Sequence, residues 1–238
     1  MTGWKALIVK MRHYRMTALE IGEALDQPRS TVALALKRWR LNRLNKLTPP
    51  EPVRRYERKR PGDLIHLDIK KPGRFNKPGH RVTGWQRCKR SRGLGYDYVH
   101  VAIDDHSRVA YVEVLIGEKG DNCTRFLAGA TQWFAAKGLI VRRVMTDNGV
   151  SYISHAFRDA AAALGQRHIR SKPYTPKTNG KAERFIKTLQ EEWAYGRPFS
   201  SRHQRNNWLP TWLRIYNCER NHGGINMKTP IIRLNLQS

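Results

Sequence analysis

A chain of 238 residues can bury a substantial core, enough for one medium domain plus a small module. Its 45 Lys and Arg against 19 Asp and Glu give a formal charge of +26, which calls for a polyanionic partner or abundant counterions, with nucleic acid the leading candidate. Basic and aromatic residues run through the whole sequence, which speaks against a disordered polycation, and the absence of an apolar run of about 18 residues or a signal-peptide pattern speaks against a membrane protein and for a soluble, cytoplasmic one.

Residues 1–44 read as three short helices. Trp4, Leu7, Ile8 and Met11 recur at helical spacing and form one face. Thr17 and Glu20 form a capping-box pattern ahead of Ile21 and Leu25, and Asp26-Gln27-Pro28 breaks the chain. Ser30 is then the expected N-cap of a third helix that turns Val32, Leu36 and Trp39 inward and leaves Arg29, Thr31, Lys37 and Arg38 outside. Helix, turn and basic helix is a helix-turn-helix pattern, with those four residues as candidate DNA contacts; an ordinary three-helix bundle with a solvated basic face has the same periodicity.

Residues 45–61 combine four prolines with a cluster of basic residues and read as a linker. From residue 62 the pattern changes to strands. Leu64 to Lys70 alternates, with Ile65, Leu67 and Ile69 on one face and His66 and Asp68 on the other. Lys71 to Gly95 is a basic, Gly-rich excursion, and Tyr98 to Ile103 with Val109 to Leu115 should pair as a hairpin whose turn accounts for Asp104 and Asp105. A helix capped by Asp121 or Asn122, a strand over Val141 to Met145, a helix from His155 to Leu164 and a short strand from Arg167 to Arg170 follow. The loop Pro173-Tyr174-Thr175-Pro176 leads to a helix carrying Glu183. The expected organisation is an α/β core over 62–200, a helical segment over 201–238, and a mixed sheet flanked by helices.

Cys88, Cys123 and Cys218 are scattered and contain no Cys-x-x-Cys pair, so neither a disulfide framework nor a structural zinc site is expected, and His80 with Cys88 lacks two further ligands. The chemistry rests instead with three acids. Asp68 interrupts a β-favouring apolar run, where Asp is normally depleted. Asp147 falls at the carboxyl end of a strand, where open α/β sheets place ligands, although Asp-Asn-Gly is also a turn sequence. Glu183 lies in the first turn of a helix, where an acid also favours the dipole. Three such carboxylates brought close would need cations, and hard oxygen ligands select Mg²⁺ or Mn²⁺. Two ions about 4 Å apart can activate an attacking oxygen and stabilise a leaving one in phosphoryl transfer. Neither a Walker-type phosphate loop nor a Ser-His-Asp or Cys-His pattern is evident.

Asp68, Asp147 in Thr-Asp-Asn-Gly, and Glu183 in Thr-Asn-Gly-Lys-Ala-Glu-Arg after 35 intervening residues resemble the DDE transposases of bacterial insertion sequences, relatives of retroviral integrases. Tyr216-Asn217, His222-Gly223-Gly224 and Lys228-Thr229-Pro230 resemble that family's closing segment. The resemblance implies a ribonuclease H-like core in which Asp68, Asp147 and Glu183 bind two Mg²⁺, with Mn²⁺ able to substitute. It implies cleavage of element DNA ends, attack of the freed 3′-hydroxyl on target DNA, and a homo-oligomer assembled on double-stranded DNA. Lys187 and Gln190 share the helical face of Glu183 and by this similarity contact DNA, while Lys187 is equally placed to pair with Glu183. Members of the group commonly carry a longer amino-terminal region, so an internal start, a truncated copy or a shorter variant is expected here. The alternative function is a catalytically inactive DNA-binding remnant that regulates a full-length transposase; a host nuclease on the same fold is a third.

Overall fold

The computed structural model describes residues 3–44, 47, 57–77, 93–171 and 179–235. The chain divides into two compact units, Met1–Arg55 and Tyr56–Ser238.

In the first unit α1 (Gly3–His13), α2 (Ala18–Ala24) and α3 (Arg29–Arg38) enclose Ile8, Ile21, Val32 and Leu36, all buried, with Met11, Leu25 and Trp39 packed around them. The capping box forms as read: the Glu20 N–H donates to the Thr17 hydroxyl at 3.2 Å, and the Thr17 N–H donates to the Glu20 carboxylate at 2.6 Å. Two expectations fail. Trp4 and Leu7 stay 38% and 48% exposed, while Arg12 is buried and donates to the carbonyls of Met16, Leu41 and Asn42. Ser30 is not the cap of α3, since the helix starts at Arg29 and Pro28 takes the cap position without a side-chain bond. Pro28 lacks an N–H and already has a helix-entry φ, so the start moves forward.

The second unit holds a mixed sheet of five strands in the order β3-β2-β1-β4-β5, made of β1 (Ile65–Lys70), β2 (Tyr98–Asp104), β3 (Ala110–Leu115), β4 (Arg143–Thr146) and β5 (Arg167–Arg170). β1, β2 and β3 run antiparallel as a meander, and β4 and β5 add in parallel to β1. On one face Ile65, Leu67 and Ala102 pack against α4 (Gly120–Ala135) and α6 (His155–Ala163), joined by Leu234 of α9 (Pro230–Asn235). On the other, Val99, Val101 and Ile103 pack against α7 (Gly180–Leu189) and α8 (Arg202–Cys218). The alternation of β1 thereby sends His66 and Asp68 to the α7 side, as the pattern predicts.

α4 departs from expectation at its start, where it opens at Gly120 after Lys119 and no side chain caps it, leaving Asp121 inside the first turn. The strand read over Val141 to Met145 is shorter and later, and an unforeseen turn of helix, α5 (Val150–Ile153), precedes α6. The base of the 71–95 excursion is closed by an antiparallel bridge between Gly73 and Tyr96; its residues 78–92 lie outside the described ones. Residues 57–61 run along the second unit. Gly62 there has φ +78°, and a Cβ would meet the Ile140 carbonyl oxygen at 2.4 Å, so only glycine passes. No helix among the described residues is long and apolar enough to cross a membrane.

Candidate active site

Asp68 belongs to β1, the middle strand of the sheet, and is half-buried. β1 and β4 pair in parallel with Ile65 opposite Val144 and His66 opposite Met145. Continuing that register by two residues brings Asp68 level with Asp147, the first residue after β4. Pairing has ended by then, so the two acids stand at the carboxyl-end fork between neighbouring parallel strands, the position at which open sheets receive ligands. Asp147 closes a local turn in which its Oδ1 accepts from the Gly149 N–H at 2.9 Å, leaving its Oδ2 for other partners. Gly149 leads directly into α5, so the same tripeptide serves both as turn and as acid carrier.

Glu183 occupies the first turn of α7. Ala182, Phe185, Ile186 and Leu189 anchor that helix in the core beside β2, and with that face buried, Glu183 and Lys187 are left exposed. Asp68 senses the other two acids. Burial is the main force that pushes the Asp68 carboxyl up to about 6, and the charges of Asp147 and Glu183 add to it against the Ile69 N–H and Lys70. Asp68 Oδ1 accepts that Ile69 N–H at 2.7 Å. The three acids do not form a closed cage, since no group of three His, Cys, Asp or Glu among the described residues is spaced to enclose a metal ion. The donor set is all carboxylate oxygen, open to solvent at Asp147 and Glu183, which suits a hard divalent cation that keeps water and phosphate oxygens in its remaining positions. Tyr152 adds a second sign of a polar occupant. Its hydroxyl is buried without a hydrogen-bond partner among the described residues, and burial with the charges of Cys123, Asp68 and Asp147 holds it in the protonated form.

The sequence reading puts His66 on the face of Asp68 and gives it no role; in the structure it is fully buried, with Nε2 2.8 Å from Asp105 Oδ1 and Nδ1 3.2 Å from Asn179 Oδ1. The sequence reading treats Asp104 and Asp105 as turn residues only, and here it falls short. Asp104, Asp105, His106 and Ser107 are all buried. Asp104 accepts from the Gly62 N–H at 2.8 Å and from the Ser107 N–H and hydroxyl, and His106 donates from Nδ1 to the Arg58 carbonyl while its Nε2 accepts from Arg233 Nε. The available signal was two adjacent acids in a chain with few to spare.

The candidate DNA contacts fall in both units. Arg29, Thr31, Lys37 and Arg38 are exposed on α3, with Val32 and Leu36 on its buried side. Lys187 is exposed and pairs with Glu191 at 3.8 Å rather than with Glu183. Gln190, half-buried, opens a π-helical turn, Gln190–Ala194, that continues α7. Tyr174, His80 and Cys88 lie outside the described residues; Cys123 and Cys218 are free thiols.

Family comparison matches the integrase core domain over residues 58–176, half of the chain, and a second integrase core domain family over residues 164–230. The chain belongs to the integrase core domain family. Among curated relatives of this integrase-family chain, a putative integrase of Spiroplasma virus SpV1-C74 is 26% identical over 151 residues, covering 58% of this chain and 42% of the relative. The Pol-related polyprotein of mouse intracisternal A-particle MIA14 is 30% identical over 93 residues, covering 39% of this chain and 10% of the relative. A retrovirus-related Pol polyprotein from a Nicotiana tabacum transposon is 33% identical over 98 residues, 41% of this chain and 7% of the relative. The chain thus spans less than half the length of each of these relatives. In fold it is similar to the catalytic core domain of BIV integrase, with TM-score 0.52 and 19% identity over 74% of this chain and 96% of that one. It is also similar to a chain of the simian T-cell lymphotropic virus intasome, with TM-score 0.56 and 19% identity over 90% of this chain and 72% of that one.

Proposed function

We propose that this integrase-family chain is the transposase of a bacterial insertion sequence, a polynucleotidyl transferase that cleaves the element's DNA ends and joins the freed 3′-hydroxyl to target DNA. The observation that carries the reading is the register of β1 and β4, which sets Asp147 level with Asp68 at the sheet's carboxyl-end fork, with the helix of Glu183 packed on the same side. Asp68, Asp147 and Glu183 would hold two Mg²⁺, or Mn²⁺ in their place. Bound there, the ions would supply activation of the attacking oxygen and charge stabilisation of the leaving one.

The protein's own part is positional. Asp68 and Asp147 present oxygens from adjacent strands, and the buried face of α7 fixes where Glu183 can reach. Asp68 must be ionised to serve as a ligand, and burial makes it the acid of the three that most needs a cation. The amino-terminal helices are read as a helix-turn-helix module, with Arg29, Thr31, Lys37 and Arg38 of α3 meeting double-stranded DNA and Lys187 and Gln190 meeting the bound end. A homo-oligomer assembled on DNA is part of the same reading, since two ends must be processed together.

The test is Mg²⁺- or Mn²⁺-dependent joining of labelled DNA ends, taken from the gene's flanks, to a plasmid. The wild type should join, and Asp147→Asn should lose joining by at least about a thousandfold while keeping DNA affinity, because affinity rests mainly on Lys and Arg contacts to phosphate. Tight binding with no cleavage or joining by either protein would replace this reading with that of a regulatory remnant.

A further inference from the structure

Asp105 sits where β1, α7 and the segment entering β1 meet. Its Oδ1 accepts from His66 Nε2 at 2.8 Å and from the Lys181 ammonium, and its Oδ2 accepts from the Arg58 N–H at 2.6 Å. Lys181 also donates to the Asp105 carbonyl at 3.2 Å. His66 continues the connection to Asn179, the residue just before α7. Two routes therefore run from one buried carboxylate to the first turn of α7, one directly through Lys181 and one through His66 and Asn179. His66 lies two residues before Asp68 on the same face of β1, and Lys181 lies two residues before Glu183.

We propose that Asp105 is a positioning residue for the acid site: through His66 and Lys181 it locks the first turn of α7 to β1 and so sets the separation between Asp68 and Glu183. The proposal rests on the reading of those two acids as metal ligands. Burial pushes the Asp105 carboxyl up, yet the bonds from His66, Lys181 and Arg58 outweigh it and hold the group well below the usual carboxylate range. Asp105 therefore stays anionic, with a donor on each side. A charge buried this way is costly to leave without its partners, which makes the joint between β1 and α7 stiff. Stiffness at that joint matters because ligands held in place need no rearrangement when a cation arrives.

Asp97 provides the contrast. It is also fully buried and accepts from Arg74, Arg202 and Arg205 at 2.7–3.0 Å, but it stands just before β2 and binds neither β1 nor α7. Loss of either carboxylate should loosen the fold, and only loss of Asp105 should loosen the acids.

The experiment measures Mn²⁺ binding by titration calorimetry and joining rate against Mn²⁺ concentration in the wild type, Asp105→Asn, Lys181→Met, Asp97→Asn and Asp68→Asn. Circular dichroism and DNA affinity are followed in each. Asp105→Asn and Lys181→Met should bind Mn²⁺ about 10–100-fold more weakly and need correspondingly more Mn²⁺ for half-maximal joining, with DNA affinity within about threefold of wild type. Combining the two should weaken Mn²⁺ binding little beyond the larger single effect, because both break one connection. Lys181→Met alone decides the matter if Asp105→Asn does not fold. Wild-type Mn²⁺ affinity in the folded variants, or an equal loss in Asp97→Asn, overturns the positioning role. Absence of any Mn²⁺ binding that depends on Asp68 in the wild type removes its premise and overturns it as well. Mn²⁺ binding that follows this pattern without joining by the wild type would sink the transposase reading and leave the positioning role standing.

Discussion

Asp68 carries a charge that the fold opposes, and this makes its ionisation visible in stability. Its carboxyl is raised from the ordinary 3.8 to about 6, so the folded state binds a proton more tightly than the unfolded chain does. The stabilisation is complete below about pH 4 and is lost as pH rises through about 6. Asp68→Asn, neutral throughout, should therefore raise the thermal stability of the metal-free protein at pH 8 by about 1–3 kcal/mol and leave it nearly unchanged at pH 4. Calorimetric melting in a chelator at pH 4, 6 and 8 reads the difference; an equal effect at all three would place the cause in packing rather than charge. In the wild type, Mn²⁺ should raise the melting temperature more at pH 8 than at pH 5, because protons compete for the same oxygens. Asp68 was legible in the sequence for the same physical reason that it titrates high: an acid in a strand that is otherwise apolar has no local use for its charge. Asp105 was not. Its partners lie 39, 47 and 76 residues away, and nothing in a hairpin turn distinguishes an acid that faces solvent from one that three segments close over.

Elements were most readable where their signals are local. The Thr17–Glu20 box spans three residues and forms as written, and the alternation of β1, β2 and β3 fixes both strands and faces. Helix starts were misplaced where two residues competed for one cap, as with Pro28 over Ser30 and Lys119 over Asp121. The amino-terminal helices show the limit of periodicity. Arg12 is polar, yet it lies four residues after Ile8 on the same helical face, donates to three carbonyls at 2.7–3.0 Å, two of them 29 and 30 residues away, and closes the chain end of α3 onto α1. A helical unit this small has little core in reserve. Thr17→Ala should destabilise it by about 1 kcal/mol, and Arg12→Ala by about 2–4 kcal/mol, since three acceptors lose a charged donor. Amide hydrogen exchange on the full chain checks this: residues 3–44 should lose protection in Arg12→Ala while β2 and β3 keep theirs. Unchanged protection in the amino-terminal unit would mean that the four-residue core Ile8, Ile21, Val32 and Leu36 suffices.

At the scale of the whole molecule, charge and chemistry occupy separate places. The first unit holds 12 Lys and Arg against 4 Asp and Glu, and the second 33 against 15, so each carries a positive excess, whereas the acid site is a local concentration of negative charge in the second. In the proposed reading both units draw a polyanion, and a cation at the three acids lets it approach there. DNA affinity should therefore fall steeply with salt, as counterions released from the backbone return. Asp147→Asn should leave the slope of log affinity against log salt unchanged, because it removes no phosphate contact. Replacing both Arg29 and Lys37 with Ala should reduce that slope by about 2, if each meets one phosphate, and lower affinity at moderate salt. Fluorescence anisotropy with a labelled duplex between about 50 and 300 mM salt separates the cases. A slope that stays at the wild-type value in the Arg29, Lys37 double variant would assign the binding surface to the second unit alone and leave α3 as an ordinary bundle helix with a solvated basic face.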